Sequence, residues 1–344
     1  MIRLAPVHSD DLPNHPSFES SDPKSRPDLL KFALALLDQG RSLVLPTQFN
    51  LSFKSHSWKP SPPSNNEVEI LSTTVPAADL GTLPWSSEDI LRPKPSKLED
   101  EYWYARRSYH HNHPNKNNAP GTASWEEFVY GLRDHHSKHE YDFTPAIYDA
   151  RLICDWNEQL NQQLSSLART EPNSPTYTHA TMAIYEMCHK LPNIVGPRCF
   201  PVLVITASCS PDEFIAVTIP VDITRFPAAF YSTGRNKKEG ADSQMKKSVT
   251  LGEYCAVERV HKYAKATKHE DREGHVHSHG DVGEEIEWIM ATSSHTRGNL
   301  PVVMQRMGVP GAVAKDVGLF LKWIHKVSDG EVKGQGVGTS TARP

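Results

Sequence analysis

Val309-Pro310-Gly311-Ala312-Val313-Ala314-Lys315-Asp316-Val317-Gly318-Leu319-Phe320-Leu321-Lys322-Trp323-Ile324-His325-Lys326-Val327 is the most regular stretch of this 344-residue chain. Val313, Val317, Phe320, Ile324 and Val327 recur at spacings of 4, 3, 4 and 3, the period of an α-helix, and Leu321 widens the stripe. The pattern predicts a helix over 310–327 with Pro310 at its opening, and such a helix needs an apolar surface to lie on. The residues before it supply one. Runs at 102–108, 177–189, 200–207, 214–221, 249–261 and 284–293 are alternating or short and apolar, and rich in β-branched residues. Within 177–189, Tyr177, Thr181, Ala183, Tyr185 and Met187 are expected on one side. Consecutive antiparallel strands followed by one amphipathic helix predict an α+β fold.

The rest of the chain is read around that unit. Leu29, Leu30, Ala33, Leu36 and Leu37 predict a helix over about 27–39, with Pro27 at its start and Gly40 as its stop. Ser124-Trp125-Glu126-Glu127 is a capping box opening a helix with the stripe Trp125, Phe128, Val129 and Leu132. Ala146, Tyr148, Ala150, Leu152 and Cys154 alternate as a strand, and 157–167 reads as helix. Residues 1–27 read as a loose arm. The segment 55–101, with Lys59-Pro60-Ser61-Pro62-Pro63 inside it, reads as extended and irregular. Stretches 234–248 and 262–283 read as long hairpin loops. The expected division is an N-terminal extension (1–100), a folded domain (101–327) and a disordered tail (328–344).

Composition excludes several classes. Lys and Arg number 37 against 41 Asp and Glu, a formal charge of −4, which argues against a nucleic-acid partner. There are 27 prolines, near 8% against a usual value of about 5%. No apolar run is long enough to span a bilayer, and the start carries Asp10, Asp11 and Glu19 in place of a secretory core. Five scattered cysteines with no C-x-x-C fit a reduced, cytoplasmic protein.

No cofactor is expected. Gly334-Gln335-Gly336-Val337-Gly338 lies in the tail, without the strand and helix that a dinucleotide site requires. No metal site is expected either, although the chain has 18 histidines. His275-Val276-His277-Ser278-His279, with His269 nearby, reads as a solvated loop over 269–279. His135 and His139 stand four apart, as do His136 and Glu140, but no Glu directly follows the first of these histidines as a zincin helix would need.

Polar residues inside the strand patterns are the candidates for a site. Tyr254, Glu258 and Arg259 share one strand, with Glu258 and Arg259 facing opposite sides. Trp288, Met290 and Thr292 share one face of the last strand, opposite Glu287, and Glu186 and His189 end another. Their ordinary role is solvated charge and aromatic core. Their functional role is a concave inner face that, closed by the C-terminal helix, lines an apolar pocket with a few orienting polar groups.

Several blocks carry a family resemblance. They are Gly121-Thr122-Ala123-Ser124-Trp125-Glu126-Glu127-Phe128, Tyr185-Glu186-Met187-Cys188-His189-Lys190-Leu191-Pro192, Phe200-Pro201-Val202-Leu203-Val204, Gly252-Glu253-Tyr254-Cys255-Ala256-Val257-Glu258-Arg259-Val260 and Trp288-Ile289-Met290-Ala291-Thr292-Ser293-Ser294. With Gly298-Asn299-Leu300-Pro301 running into the helix quoted above, they resemble a fungal family of unknown function with a START-like domain, over roughly residues 100–327. Ser293-Ser294-His295-Thr296 departs from the family's pattern, which carries an acid there. The resemblance implies a helix-grip fold, in which a curved antiparallel sheet wraps a long C-terminal helix around a hydrophobic cavity. The broader superfamily spans carriers, receptors and cyclases, so fold does not select a function.

Three functions are expected in competition. The first is binding or transfer of an apolar small molecule (a lipid, sterol or secondary metabolite) with only transient membrane contact. Trp288, Met290, Thr292, Tyr254, Val313, Val317 and Phe320 would then be the wall, and Arg259, Glu258 or His189 would orient a polar head. The second is a cofactor-independent cyclase of secondary metabolism, with His189, Glu258, Tyr254 and Tyr231 as acid–base candidates. The third is a non-catalytic scaffold.

Overall fold

The computed structural model of the chain describes residues 2–18, 26–83, 98–113, 121–170, 177–191, 196–266, 269–270, 276–277, 282–297 and 302–334. The elements are α1 (Leu29–Val44), α2 (Pro46–Ser52), β1 (Lys54–Lys59), β2 (Val68–Val75), β3 (Glu101–His111), α3 (Trp125–Phe128), α4 (His136–Phe143), β4 (Ile147–Asp155), α5 (Asn157–Thr170), β5 (Thr178–His189), β6 (Arg198–Ser210), β7 (Glu213–Asp222), β8 (Glu253–Ala266), β9 (Val282–His295) and α6 (Val302–Ile324). The strands form one antiparallel sheet in the order β1-β2-β3-β9-β8-β7-β6-β5-β4. This curved sheet with a long C-terminal helix is the α+β arrangement expected from the sequence.

Both faces of the sheet are covered, which explains why β6 and β7 read as continuous apolar runs and not as alternations. On the outer face, Phe32, Ala33, Leu36 and Leu37 of α1 and Leu160 and Leu164 of α5 pack with Leu203, Ile205, Ile215, Val217 and Val257. On the inner face, Val313, Val317, Phe320, Leu321 and Ile324 of α6 pack with Phe214, Val260, Ile286 and Trp288 and with Phe128. The capping box is formed. Ser124 Oγ accepts from the Glu127 amide at 3.2 Å, and the Glu127 carboxylate accepts from the Ser124 amide at 2.7 Å.

Several expectations are corrected. The segment read as irregular supplies β1 and β2, with Val68 and Ile70 buried in the inner core. The prolines of 60–63 punctuate the connection between the two strands and not the strands themselves. Gly40 does not stop α1, which runs on to Val44; a Cβ there would lie 2.4 Å from Val217 Cγ2, so the glycine allows close approach of helix and strand. Pro310 lies inside α6 and does not open it; its ring suits a helical φ and costs the helix one hydrogen bond. The N-terminal arm is packed where it is described: Ile2 and Leu12 are buried, and Arg3 reaches Glu101 at 3.4 Å. Tyr177 leaves the face of Thr181, Ala183, Tyr185 and Met187 because β5 pairs irregularly between Thr178 and Thr181, and it joins the outer core. Ser328, read as the start of the tail, caps a short turn over Asp329–Val332, and residues 335–344 lie outside the described residues. Most of the His-rich loop lies outside them as well; His269 and His277 are described only as a strand pair.

The loop before β2 locks α6 in place. The Ser61 hydroxyl donates to the Ala314 carbonyl at 2.6 Å and accepts from the Gly318 amide at 2.9 Å. A Cβ on Gly318 would meet the Pro62 carbonyl at 2.3 Å, whereas Gly311 has open space around it. Gly318→Ala is therefore expected to lose about 1–3 kcal/mol through overpacking. Gly311→Ala is expected to gain up to about 1 kcal/mol of helix propensity. Urea unfolding of the two variants checks the opposite signs.

Candidate functional site

Strand register decides which side chains face α6. Arg106 on β3 is opposite Met290 on β9, which is opposite Glu258 on β8, so these three and Tyr104, Thr292 and Tyr254 share the inner face. Arg106 is 1% exposed and lies over the ring of Trp288, 3.7 Å from its centroid. The Trp288 indole donates to Glu258 Oε2 at 2.8 Å, and Arg106 Nη2 is 3.5 Å from that oxygen. His136 Nε2 stands 4.0 Å from the other oxygen of Glu258. Arg106 Nε and Nη1 are covered and without acceptors among the described residues.

Two further carboxyls complete the cluster. Glu140 lies one turn after His136 on α4, and Asp316 lies on α6 between Val313 and Val317. Neither side chain makes a hydrogen bond or ion pair among the described residues. Glu140, Asp316 and Tyr254 are each half-buried, with protein packed densely around them. Burial pushes Asp316 up to about 7 against the pull of Arg106, with Glu140 and Glu258 adding repulsion. Burial likewise pushes Glu140 up to about 7, opposed by His136 and aided by Glu258. Tyr254 is raised well above its usual value by burial and then by the same acids.

The apolar packing of the inner face is divided at this point. One cluster holds Trp288, Met290, Phe214 and α6; a separate one holds Ile147, Met187, Phe200, Val202 and Val204, with Tyr254 at its border. A pocket of about 180 Å³ opens at the end of the sheet, between Leu4, Asp100, Tyr104, Ser293, His295 and Val309, and the carboxyl cluster does not line it. Tyr104 stands two residues from Arg106, a step of roughly 7 Å along the strand.

The residues singled out from the sequence divide into four groups. Glu258, Tyr254, Met290 and Thr292 lie together on the inner face. Trp288, Val313, Val317 and Phe320 are there too, as tightly packed core: the rings of Trp288 and Phe320 are 5.4 Å apart, with Phe128 against both. His189 stands further along the face, edge-on to Phe200, and burial pushes it down to about 4 and keeps it neutral. Arg259 and Tyr231 are not brought to this space. Arg259 points outward, to Glu213 at 2.7 Å and Glu287 at 3.0 Å, because neighbours in a strand face opposite sides. The Tyr231 hydroxyl donates to Asp149 at 2.6 Å, and its amide, with those of Phe230 and Ser232, donates to the buried Glu186 carboxylate.

Sequence reasoning missed Arg106 and Asp316, and weighed Glu140 only with His136 as a metal pair that it set aside. Two signals were available: the face Tyr102-Tyr104-Arg106-Ser108-His110 places a cation in a central strand, and Asp316 interrupts the apolar stripe of the best helix. Among the described residues no group of three or more His, Cys, Asp or Glu side chains is arranged to hold a metal ion.

The sequence profile of the family described as "Protein of unknown function (DUF3074)" matches residues 103–324, and the chain belongs to that family. No curated protein matches. Among solved structures, the chain is similar to human STARD10 (10% identity, 90% of this chain and 83% of that one, TM-score 0.43). It is also similar to human StAR-related lipid transfer protein 5 (8%, 86% and 98%, 0.44) and to the lipid transfer and protein localization domain of human StarD13 (9%, 83% and 98%, 0.38).

The raised carboxyls make stability depend on pH. In an unfolded chain they titrate near about 4, so the native state holds protons that the unfolded state releases between about pH 4 and 7. Stability therefore falls as pH rises through that window. Asp316→Asn removes one such group. Its stability relative to the parent is expected to improve as pH is raised from about 5 to 8, with a slope of up to about 1.4 kcal/mol per unit for one proton. The buried histidines, which act in the opposite sense, cancel in that difference. Urea unfolding at several pH values checks it, and a flat difference would remove Asp316 from the cluster.

Proposed function

We propose that the space between the inner sheet face and α6 takes up an apolar small molecule whose polar end meets the cluster of Glu258, Glu140, Asp316 and Tyr254. One observation carries this reading: the half-buried carboxyls of Glu140 and Asp316, pushed up to about 7 chiefly by burial, have no hydrogen-bond or ion-pair partner among the described residues. Burying such groups without partners costs several kcal/mol, and a bound polar group offsets that cost. Phe200, Val202 and Val204 on one side and Met290 and Phe214 on the other are the apolar wall. They supply affinity at about 25 cal/mol per Å² buried, less the cost of ordering the ligand. Among the described residues no helix is long and apolar enough to cross a membrane, and in this reading the molecule is exchanged with membranes through transient contact.

A second reading is favoured by the two carboxyls near 7. That value suits a group that gives and takes protons at neutral pH. In this reading the space is the active site of a cofactor-independent cyclase or isomerase. Glu140 and Asp316, not Tyr231, are then the acid–base pair.

The test is denaturing extraction of the purified chain followed by mass spectrometry of released small molecules. A near-stoichiometric amphiphile is expected from the parent. Arg106→Met combined with Glu258→Gln keeps the volume and the acceptor for the Trp288 indole, and is expected to lower occupancy about tenfold, the equivalent of about 1.4 kcal/mol. A polycyclic product released in place of a lipid would favour the enzyme. Empty parent protein that also takes up no added amphiphile would overturn both readings.

A further inference from the structure

We infer that Cys188 and Cys199 form a redox lock, in which a peroxide oxidises the two thiols to a disulfide that ties β5 to β6 behind the inner wall. The register makes them a pair. Cys188 on β5 is the direct antiparallel partner of Cys199 on β6. Such partners have Cα atoms roughly 4.5–5.5 Å apart, inside the span of about 4.4–6.8 Å that a disulfide bridges. Both are free, both are fully buried, and both belong to one small cluster with Phe230 and Tyr231. The other three cysteines are placed differently. Cys154 is opposite Ile184 and Cys255 is opposite Ser293, while Cys209 falls in the irregularity between Ser208 and Ser210. A buried cysteine ordinarily serves as a small apolar side chain. Two that face each other across a ladder are also the reactants of a bridge.

The segment after β7 stands between the thiols and an oxidant. Phe230 and Tyr231 pack with the pair, and Tyr148, Val249 and Leu251 surround it. Glu186 pins this cover. It lies two residues before Cys188, on the same face of β5, and its carboxylate accepts from the amides of Phe230 at 2.9 Å, Tyr231 at 3.0 Å and Ser232 at 2.7 Å. Burial and the adjoining Cys188 thiol push Cys199 up, so under a closed cover the reactive thiolate is scarce. Local opening admits the peroxide. One thiol takes an oxygen from it as the O–O bond breaks, giving a sulfenic acid and a water. The partner sulfur then displaces that hydroxyl, which leaves with the partner's proton as a second water. The two thiols lose two electrons and the peroxide gains them. The bridge closes the short loop 189–198, which restricts the unfolded chain. It also fixes Met187 and Phe200, the neighbours of the pair that belong to the inner wall.

The experiment treats the reduced full chain with hydrogen peroxide at neutral pH and maps its cysteine peptides by mass spectrometry without reduction. A Cys188–Cys199 link is expected as the main bridged product, reversible by dithiothreitol, with Cys154, Cys209 and Cys255 as internal references. The bridged protein is expected to unfold at higher urea than the reduced one. Cys199→Ser is expected to form no bridge and to stop at a sulfenic acid on Cys188. Glu186→Gln sets an amide among the three N–H donors, and is expected to form the bridge at least about tenfold faster, because a weakened latch raises the open fraction. Should that variant not fold, the parent in urea below its unfolding transition supplies the loosened cover and is expected to react faster in the same way. Sulfinic or sulfonic acids at these positions in place of the bridge, a main product linked through any of the other three cysteines, or no bridge even with the cover loosened would overturn the inference. A bridge that lowers the urea midpoint would equally rule out a lock.

Discussion

The stripe Val313, Val317, Phe320 and Ile324 has to be buried, and the geometry of the interior follows from where it goes. Each such side chain contributes roughly 1.5–3 kcal/mol on leaving water, and the inner sheet face around Trp288 and Phe214 is where the contact is made. Phe128 and Phe320, 5.0 Å apart, close the packing from the helical side. A helix laid down on that stripe cannot leave Asp316 outside. The residue sits three positions after Val313 and next to Val317, on the flank of the same face. The interaction that closes the fold therefore carries a carboxyl into the interior.

Two arginines show how differently the sheet's faces treat charge. Arg259 on the outer face is held by Glu213 and Glu287, and Arg41 of α1 reaches the other oxygen of Glu213 at 2.8 Å. That network is closed, with its donors matched to carboxylates. Arg106 on the inner face has one carboxylate at 3.5 Å, an indole ring beneath it and two N–H groups unmatched. Replacing a buried ion pair by apolar residues of similar volume is often neutral or stabilising, so stability is a weak reason to keep the inner cluster. The outer network is a structural feature. The inner one leaves polar atoms unmatched among the described residues.

Much of the architecture was legible because periodicity is local. The runs at 200–207 and 214–221 announced β6 and β7, and Ser124 with Glu127 announced the start of α3. What stayed hidden depends on partners far away in sequence. Gly40 reads as a stop until Val217 is placed against it. Lys54–Lys59 and Val68–Val75 read as irregular until β3 offers them an edge to pair with. Alternation shows that Glu258 and Arg259 face opposite ways, but which faces inward is decided by which helix covers which face. His135 breaks the expected helix with a positive φ of 48° and becomes the N-cap of α4, where its carbonyl still accepts from the His139 amide at 3.1 Å. Asp316 and Arg106 stayed unread for a simpler reason: a stripe or an alternation is scored on its apolar members, and the polar exception inside it is the informative residue.

The N-terminal extension bears on the site although none of its helices touches it. By burying Phe32, Ala33, Leu36 and Leu37 against β7 and its neighbours, α1 gives the sheet a full apolar layer on the outer side. A sheet anchored in that way does not rely on α6 alone to take its apolar surface out of water. The inner layer can then be incomplete, split into two clusters with acids between them, without exposing the strands. An α6 that had to supply the whole core would be expected to carry an apolar residue where Asp316 stands. The two layers thus divide the labour, with continuous apolar packing outside and apolar clusters interrupted by polar groups inside.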